Sequence, residues 1–466
     1  MVFSSLTFLL YFMPITLILY FIRSDIRWRN AVLLAASLLF YAWGEPVWIV
    51  AMLFSTWINW VCACAMVRSR RKSVRKKWMI LGVSASALLL FIFKYSVFFI
   101  NCLINLFGGE PLAALSLPIG ISFYTFQIIT YTVDVYRKKA KYQPSYVKLL
   151  LYVVCFPQLI AGPIVQYSDV AREINRREST PDGFATGMQR FVVGLGKKVI
   201  LANTCGNILQ AMPGAGELSV LGAWYGALLY ALQIYFDFSG YSDMAIGLGR
   251  IFGFRYKENF NYPYAAVSVR DFWRRWHISL GSFFREYVYI PLGGNRKGLG
   301  RTIFNTLVVW TLTGLWHGAA WTFILWGAYY GILLTIDLLG GRKLTDALPA
   351  FVNRIFTFAL VLIGWVIFYY ATPGEAFAHI GAMFGAGARG LMDAASLSVI
   401  RTYTIFPLIA LFASLPIAKA VAGSLGERMS ARPAETLRVV LLSLCLIFSI
   451  FLIVGSSYNP FIYFRF

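Results

Sequence analysis

Apolar runs long enough to cross a bilayer alternate with short basic connections along the chain. The runs cover residues 2–22, 31–43, 47–67, 78–107, 112–135, 218–252, 351–371, 403–422 and 439–454. A helix needs about 20 apolar residues to span hydrocarbon, so these runs predict membrane segments, the second of them short. Three stretches break the pattern. Residues 149–165 are apolar but hold Pro157, Gly162 and Pro163, which predicts a broken or re-entrant segment covered by protein. Residues 187–212 carry Lys197 and Lys198 centrally, which predicts a buried or interfacial position. Residues 302–339 are too long for one crossing of ~30 Å at ~1.5 Å per residue. They must tilt, break or turn back, and Gly314 and Gly318 mark the expected place. The chain reads as an all-α, polytopic transmembrane protein of roughly ten to twelve membrane segments. These form one domain over 1–466, with a cytoplasmic interfacial helix and loop at about 254–301.

The connections orient the segments. Residues 68–77 hold seven basic residues and no acid, and residues 254–301 hold nine basic residues against three acids. Cytoplasmic loops carry excess Lys and Arg, so both belong inside, as does the loop at 137–141. The first run lacks a basic leader and a small-residue cleavage site, and Arg23, Arg27 and Arg29 follow it. It is expected to remain as a span with its N-terminus outside. The Gly/Ala-rich residues 373–399 fit outside, and residues 424–438, with Arg428, Arg432 and Arg438, fit inside. Both termini are then extracytoplasmic.

Composition removes the soluble classes. Apolar residues make up 59% and charged residues 13%, with a mean hydropathy of +0.66, against roughly 25% charged in soluble chains. The net charge of +22 would suggest nucleic acid in a soluble protein; here the inside loops account for it. Those loops could also serve anionic lipid or an anionic substrate. The six cysteines form no Cys-x-x-Cys and read as small apolar residues, and three histidines argue against a metal site. Gly194-x-Gly196-Lys197-Lys198 fails as a P-loop because position 191 is Phe. No Gly-x-Ser-x-Gly nucleophile elbow occurs.

Ionisable residues within apolar runs are costly and are the first functional candidates. His317 sits in Leu315-Trp316-His317-Gly318, with Thr313 and Trp321 expected on its helical face. A neutral imidazole can take a proton from a hydroxyl, as acyl transfer to an alcohol requires. A buried histidine bonded to a carbonyl is the plainer alternative. His277 lies in Arg270-Asp271-Phe272-Trp273-Arg274-Arg275-Trp276-His277-Ile278-Ser279-Leu280. Plotted as a helix, Arg270, Arg274, His277, Gly281 and Arg285 form a polar row, which predicts an amphipathic interfacial helix. With Arg275, its basic residues could hold lipid headgroups or a phosphorylated acyl donor, or simply anchor the chain. Tyr289-Ile290-Pro291-Leu292-Gly293-Gly294-Asn295-Arg296-Lys297-Gly298 reads as a turn-rich basic loop. Asp237, Ser239, Tyr241 and Asp243 are polar positions on one apolar run. They, with Trp316, could line a polar tunnel, or they could be a helix-packing network.

These segments together resemble the membrane-bound O-acyltransferase (MBOAT) family, most closely its bacterial alginate O-acetyltransferase (AlgI-like) branch. The opening Met1-Val2-Phe3-Ser4-Ser5, Phe40-Tyr41-Ala42-Trp43, residues 157–163 and the closing Asn459-Pro460-Phe461-Ile462-Tyr463-Phe464 share in it. The resemblance implies an MBOAT fold of broken helices with an acyl-transfer site inside the bilayer of the bacterial cytoplasmic membrane. It implies that His317 is the essential histidine and His277 the second catalytic polar residue, with Arg270, Arg274, Arg275 and Arg285 on the donor side. Acetyl-CoA is the implied donor substrate, with no bound cofactor or metal. The implied partner is an extracytoplasmic SGNH-type acetyltransferase that modifies a polysaccharide. Gly281 and Glu286 stand where that branch carries Ser and Asp, which leaves the acceptor open. A D-alanyl transferase for teichoic acid shares the fold. A secondary transporter is the rival of another class, and it would require inverted repeats and acidic ion sites.

Overall fold

Helix is the only regular secondary structure among the described residues, as expected where no water is present to satisfy backbone groups. The computed structural model describes residues 1–113, 115–160, 162–341, 347–427, 429–455 and 461–462. Arg428 of the last basic loop, and Asn459, Pro460, Tyr463 and Phe464 of the closing motif, lie outside the described residues. The chain forms two compact units, Met1–Phe191 with Tyr241–Lys257, and Val192–Gly240 with Glu258–Phe466.

The first unit contains α1 (Met13–Phe21), α2 (Ile26–Gly44), α3 (Ile49–Arg68), α4 (Lys72–Lys94), α5 (Ser96–Leu106) and α6 (Ile121–Arg137). α3, α4 and α6 pack together around Asn59. Its amide donates to Ser86 Oγ of α4 at 2.7 Å, and its oxygen accepts from Thr132 Oγ1 of α6 at 2.7 Å. The 149–165 stretch is broken as expected. α7 (Tyr146–Val154) and α8 (Phe156–Leu159) are followed by irregular, buried chain. Side chains satisfy its backbone: Phe156 N donates to Ser37 Oγ, and Tyr152 Oη donates to Val165 O at 2.7 Å. α9 (Tyr167–Asn175), the start of α10 (Pro181–Gly196) and Tyr241–Lys257 complete this unit.

The second unit holds α11 (Asn203–Gln210) and the first part of α12 (Val220–Ile251). It continues with α13 (Val269–Arg275), α14 (Ile278–Phe284), α15 (Leu299–His317), α16 (Trp321–Ile336) and the later helices. Residues 302–339 turn back: α15 ends at His317, Gly318 is extended, and α16 returns along α15. The two helices touch at glycines. A Cβ on Gly314 would stand 3.3 Å from Gly327 Cα, and one on Gly327 would stand 2.4 Å from Trp310 O.

Among the described residues five helices are long and apolar enough to cross a membrane: Ile49–Arg68, Lys72–Lys94, Trp321–Gly341, Ala350–Tyr369 and Ala431–Val454. The pair Ala394–Tyr403 and Ile405–Ala413, bent by 61°, makes a sixth if counted as one span. Other apolar runs are shorter, broken or lined by buried polar residues. The Ala431–Val454 helix exposes Leu441, Leu444, Ile447 and Phe451, a surface suited to lipid and unsuited to water.

Candidate active site

The expected amphipathic helix over 270–285 is instead two helices joined by a kink. Ser268 caps α13 by accepting from Asp271 N at 3.1 Å, and Asp271 reaches back to Val267 N. Trp276 is extended, and His277 takes the left-handed conformation, φ 45° and ψ 54°. Such backbone is uncommon for a side chain with a Cβ and persists where the surroundings over-determine it. Here the segment around residue 260 clamps both sides of the kink. Asn261 N donates to Arg275 O at 2.9 Å, and Ile278 N donates to Asn259 O at 3.0 Å. The kink turns His277 inward, so it is 2% exposed rather than in a solvated row. Burial pushes its imidazole down to about 3, so it is neutral near pH 7.

His277 lines a cavity of ≈ 450 Å³ within the second unit. Arg270 and Arg274 of α13, and Arg285 after α14, line the same cavity. Arg270 Nη2 is 2.5 Å from Asp337 Oδ2. α15 contributes Thr302, Thr306, Val309 and Thr313. Their spacing of three and four residues sets them on one helical face. The next position on that face is His317.

His317 closes α15 in an aromatic surround and is 4% exposed. Ring centroids of Trp326 and Phe368 lie 5.0 and 5.1 Å from it. Trp316 touches both imidazoles, at 5.8 Å from His277 and 5.0 Å from His317. A Cβ on Gly318 would meet the Phe323 ring at 2.2 Å, so only glycine lets that ring close over the break. Trp321 does not share the His317 face, because the helix has already ended; it begins α16 and is exposed.

Other expected residues fall elsewhere. Arg275 pairs with Asp271 at 3.0 Å and is not among the cavity-lining residues. Asp237 forms an ion pair with Lys198 at 2.6 Å and accepts from Ile462 N at 2.7 Å. Ser239 is buried in the same helix and does not line this cavity. Tyr241 belongs to the first unit, stacked on Phe3 at 4.6 Å, where Asp243 pairs with Arg190 at 2.8 Å. None of Asp237, Ser239, Tyr241 and Asp243 is among the residues that line this cavity. In the 289–298 loop, Tyr289 and Asn295 reach the cavity, and Asn305 Nδ2 anchors the turn at Gly294 O.

Sequence reasoning missed three features. The Thr302, Thr306 and Thr313 stripe was readable from its spacing. Trp273 lines the cavity, and its Nε1 is buried without a hydrogen-bond partner among the described residues. Asn259 had no readable signal, since it meets His277 only through the fold. Among the described residues no group of His, Cys, Asp and Glu could hold a metal ion.

A family model for membrane-bound O-acyltransferases matches residues 34–373. The chain is 39% identical to a probable alginate O-acetylase of Pseudomonas putida, over 100% of both chains. It is 43% identical to the corresponding Pseudomonas aeruginosa protein, over 84% of this chain and 76% of that one. It is 35% identical to a peptidoglycan O-acetyltransferase of Helicobacter pylori, over 79% of this chain and 77% of that one.

Proposed function

This chain belongs to the membrane-bound O-acyltransferase family, and from that membership we propose that it moves an acetyl group from cytoplasmic acetyl-CoA to an extracytoplasmic hydroxyl. The observation that carries the reading is one cavity offering three arginines and a buried neutral histidine, with a wall that continues one helical turn to His317. Arginine suits the phosphates of a CoA-type donor. Aromatic and apolar walls exclude the water that would hydrolyse a thioester.

In this mechanism Arg270, Arg274 and Arg285 hold the donor, and Asp337 holds Arg270 in place. His317 accepts the proton of the acceptor hydroxyl as its oxygen attacks the thioester carbonyl carbon. The tetrahedral intermediate collapses, the C–S bond breaks, and the thiolate takes the proton back from His317. His277 orients the donor side. The chain works in the bacterial cytoplasmic membrane with both termini outside, and a separate SGNH-type acetyltransferase passes the acetyl group to a polysaccharide.

The test uses purified protein in lipid vesicles with labelled acetyl-CoA on the side of the basic loops. Wild type should consume thioester and acetylate an added acceptor on the opposite side. His317→Ala should lose at least about 100-fold in turnover, the size of a general-base contribution, in protein that still folds. Equal turnover in both proteins would remove His317 from the reaction. Turnover only with a D-alanyl-loaded carrier would replace acetyl-CoA as the donor.

A further inference from the structure

We infer that Asn259 is a positioning residue for His277, fixing the imidazole as its Nδ1–H tautomer so that the Nε2 lone pair serves the cavity. The hydrogen-bond roles around Asn259 admit one solution. Asn259 Oδ1 lies 3.1 Å from Ser279 N, 2.9 Å from Ser279 Oγ and 3.2 Å from His277 Nδ1. A backbone N–H can only donate, so the atom facing Ser279 N is the amide oxygen and not the amide nitrogen. An amide oxygen can only accept, so His277 Nδ1 must carry the proton. Ser279 Oγ is also 3.4 Å from Nδ1. If its single hydrogen turned there, Nδ1 and Oδ1 would be two acceptors facing each other at 3.2 Å, with nothing between them.

Nε2 is the consequence. In the neutral ring it is an acceptor. It is buried and has no hydrogen-bond partner among the described residues, while the side chain lines the cavity. His277 is thus equipped to receive an N–H or O–H from whatever occupies the site. The neighbouring Trp273 Nε1 offers the complementary donor. Asn259 itself lies eighteen residues before His277 and is 1% exposed. Its backbone carbonyl also holds the kink through Ile278 N. One residue therefore sets both the backbone and the tautomer of His277. That the acceptor serves acyl transfer rests on the function proposed above; the tautomer does not.

The chain has three histidines, so histidine labelled with nitrogen-15 gives a readable spectrum of the full protein in lipid bilayers. Ring nitrogens with and without a proton resonate far apart. His277, assigned by its loss in His277→Asn, should show a protonated Nδ1 and a bare Nε2. His379 is an internal reference of the opposite kind, because its Nε2 faces Ala223 O at 2.9 Å. A protonated Nε2 on neutral wild-type His277 would overturn the inference with no variant needed. Asn259→Ala should mix the tautomers and lower kcat/KM for acetyl-CoA about tenfold, the size of one lost hydrogen bond. Asn259→Asp keeps an acceptor oxygen, and should retain the Nδ1–H form and most of the activity. An unchanged tautomer in Asn259→Ala, or an Asn259→Asp no better than Asn259→Ala, would equally overturn it. Full turnover in His317→Ala with the expected tautomer would sink the acyl-transfer reading and leave the role of Asn259 standing.

Discussion

Lys198 and Asp237 share a buried ion pair at 2.6 Å, with side chains 4% and 1% exposed. Removing one member leaves a buried charge without its partner, which costs about 3–5 kcal/mol. Asp237→Asn or Lys198→Met should each lower the thermal midpoint in detergent sharply. The double variant Lys198→Met with Asp237→Leu should recover much of the loss, since apolar replacements of a buried pair are often tolerated. His277 makes a prediction of the other kind. Burial holds its folded pKa down to about 3, against about 6.5 in the unfolded chain. Below pH 6.5 the unfolded state takes up a proton that the native state refuses, so stability falls as pH drops from about 6.5 towards 3. The fall approaches about 1.4 kcal/mol per pH unit. It should be shallower in His277→Asn when unfolding is followed across pH 7 to 4. Burial also lowers His379, so some slope will remain. Gly281 lines the cavity, and a Cβ there would meet nothing nearer than Trp273 O at 4.0 Å. Gly281→Ser should therefore leave stability within about 0.5 kcal/mol, and any change should appear in the donor KM.

The α15–α16 hairpin shows how an element's shape decides the site. Gly314 and Gly327 let the two backbones meet, and one residue beyond His317 the chain leaves α15 at extended Gly318. Gly327→Leu would drive a side chain into Trp310 O, an overpacking that costs roughly 1–3 kcal/mol or more. It should lower turnover only as far as it lowers the thermal midpoint, whereas His317→Ala should lose turnover even where the protein remains folded. The turn itself was legible, because 302–339 exceeds one crossing and Gly318 interrupts it. So was the break in 149–165, where prolines and glycine remove helical hydrogen bonds. The kink at His277 was not. Residues 270–285 have a helical pattern with no proline to end it, and what breaks it is pairing with Asn259 and Asn261. A periodicity argument sees neighbours three and four positions apart, not eighteen.

At the scale of the whole molecule, exposed apolar helices and basic connections describe a multi-pass membrane protein. The charge pattern carries a topology that labelling can check. In a variant whose six cysteines are replaced by alanine, Arg70→Cys and Lys297→Cys should react with an impermeant maleimide only after the inner membrane is opened. Gly374→Cys should react once the reagent reaches the outer face of that membrane. Labelling of all three from one side would overturn the orientation and, with it, the direction of acyl transfer.

The sequence alone determined the membrane class and the helical architecture, and it singled out His277 and His317 as candidates. Hydrophobicity and charge belong to single residues and accumulate along the chain, so a linear reading detects them. The tertiary structure decided that Arg270, Arg274 and Arg285 face one cavity while Arg275 turns to Asp271. It also decided that Asp237 is paired with Lys198, and that Asn259 meets His277. The first follows from the kink at His277, and the last two depend on groups brought together across many intervening residues, whose donor and acceptor roles only their mutual geometry defines.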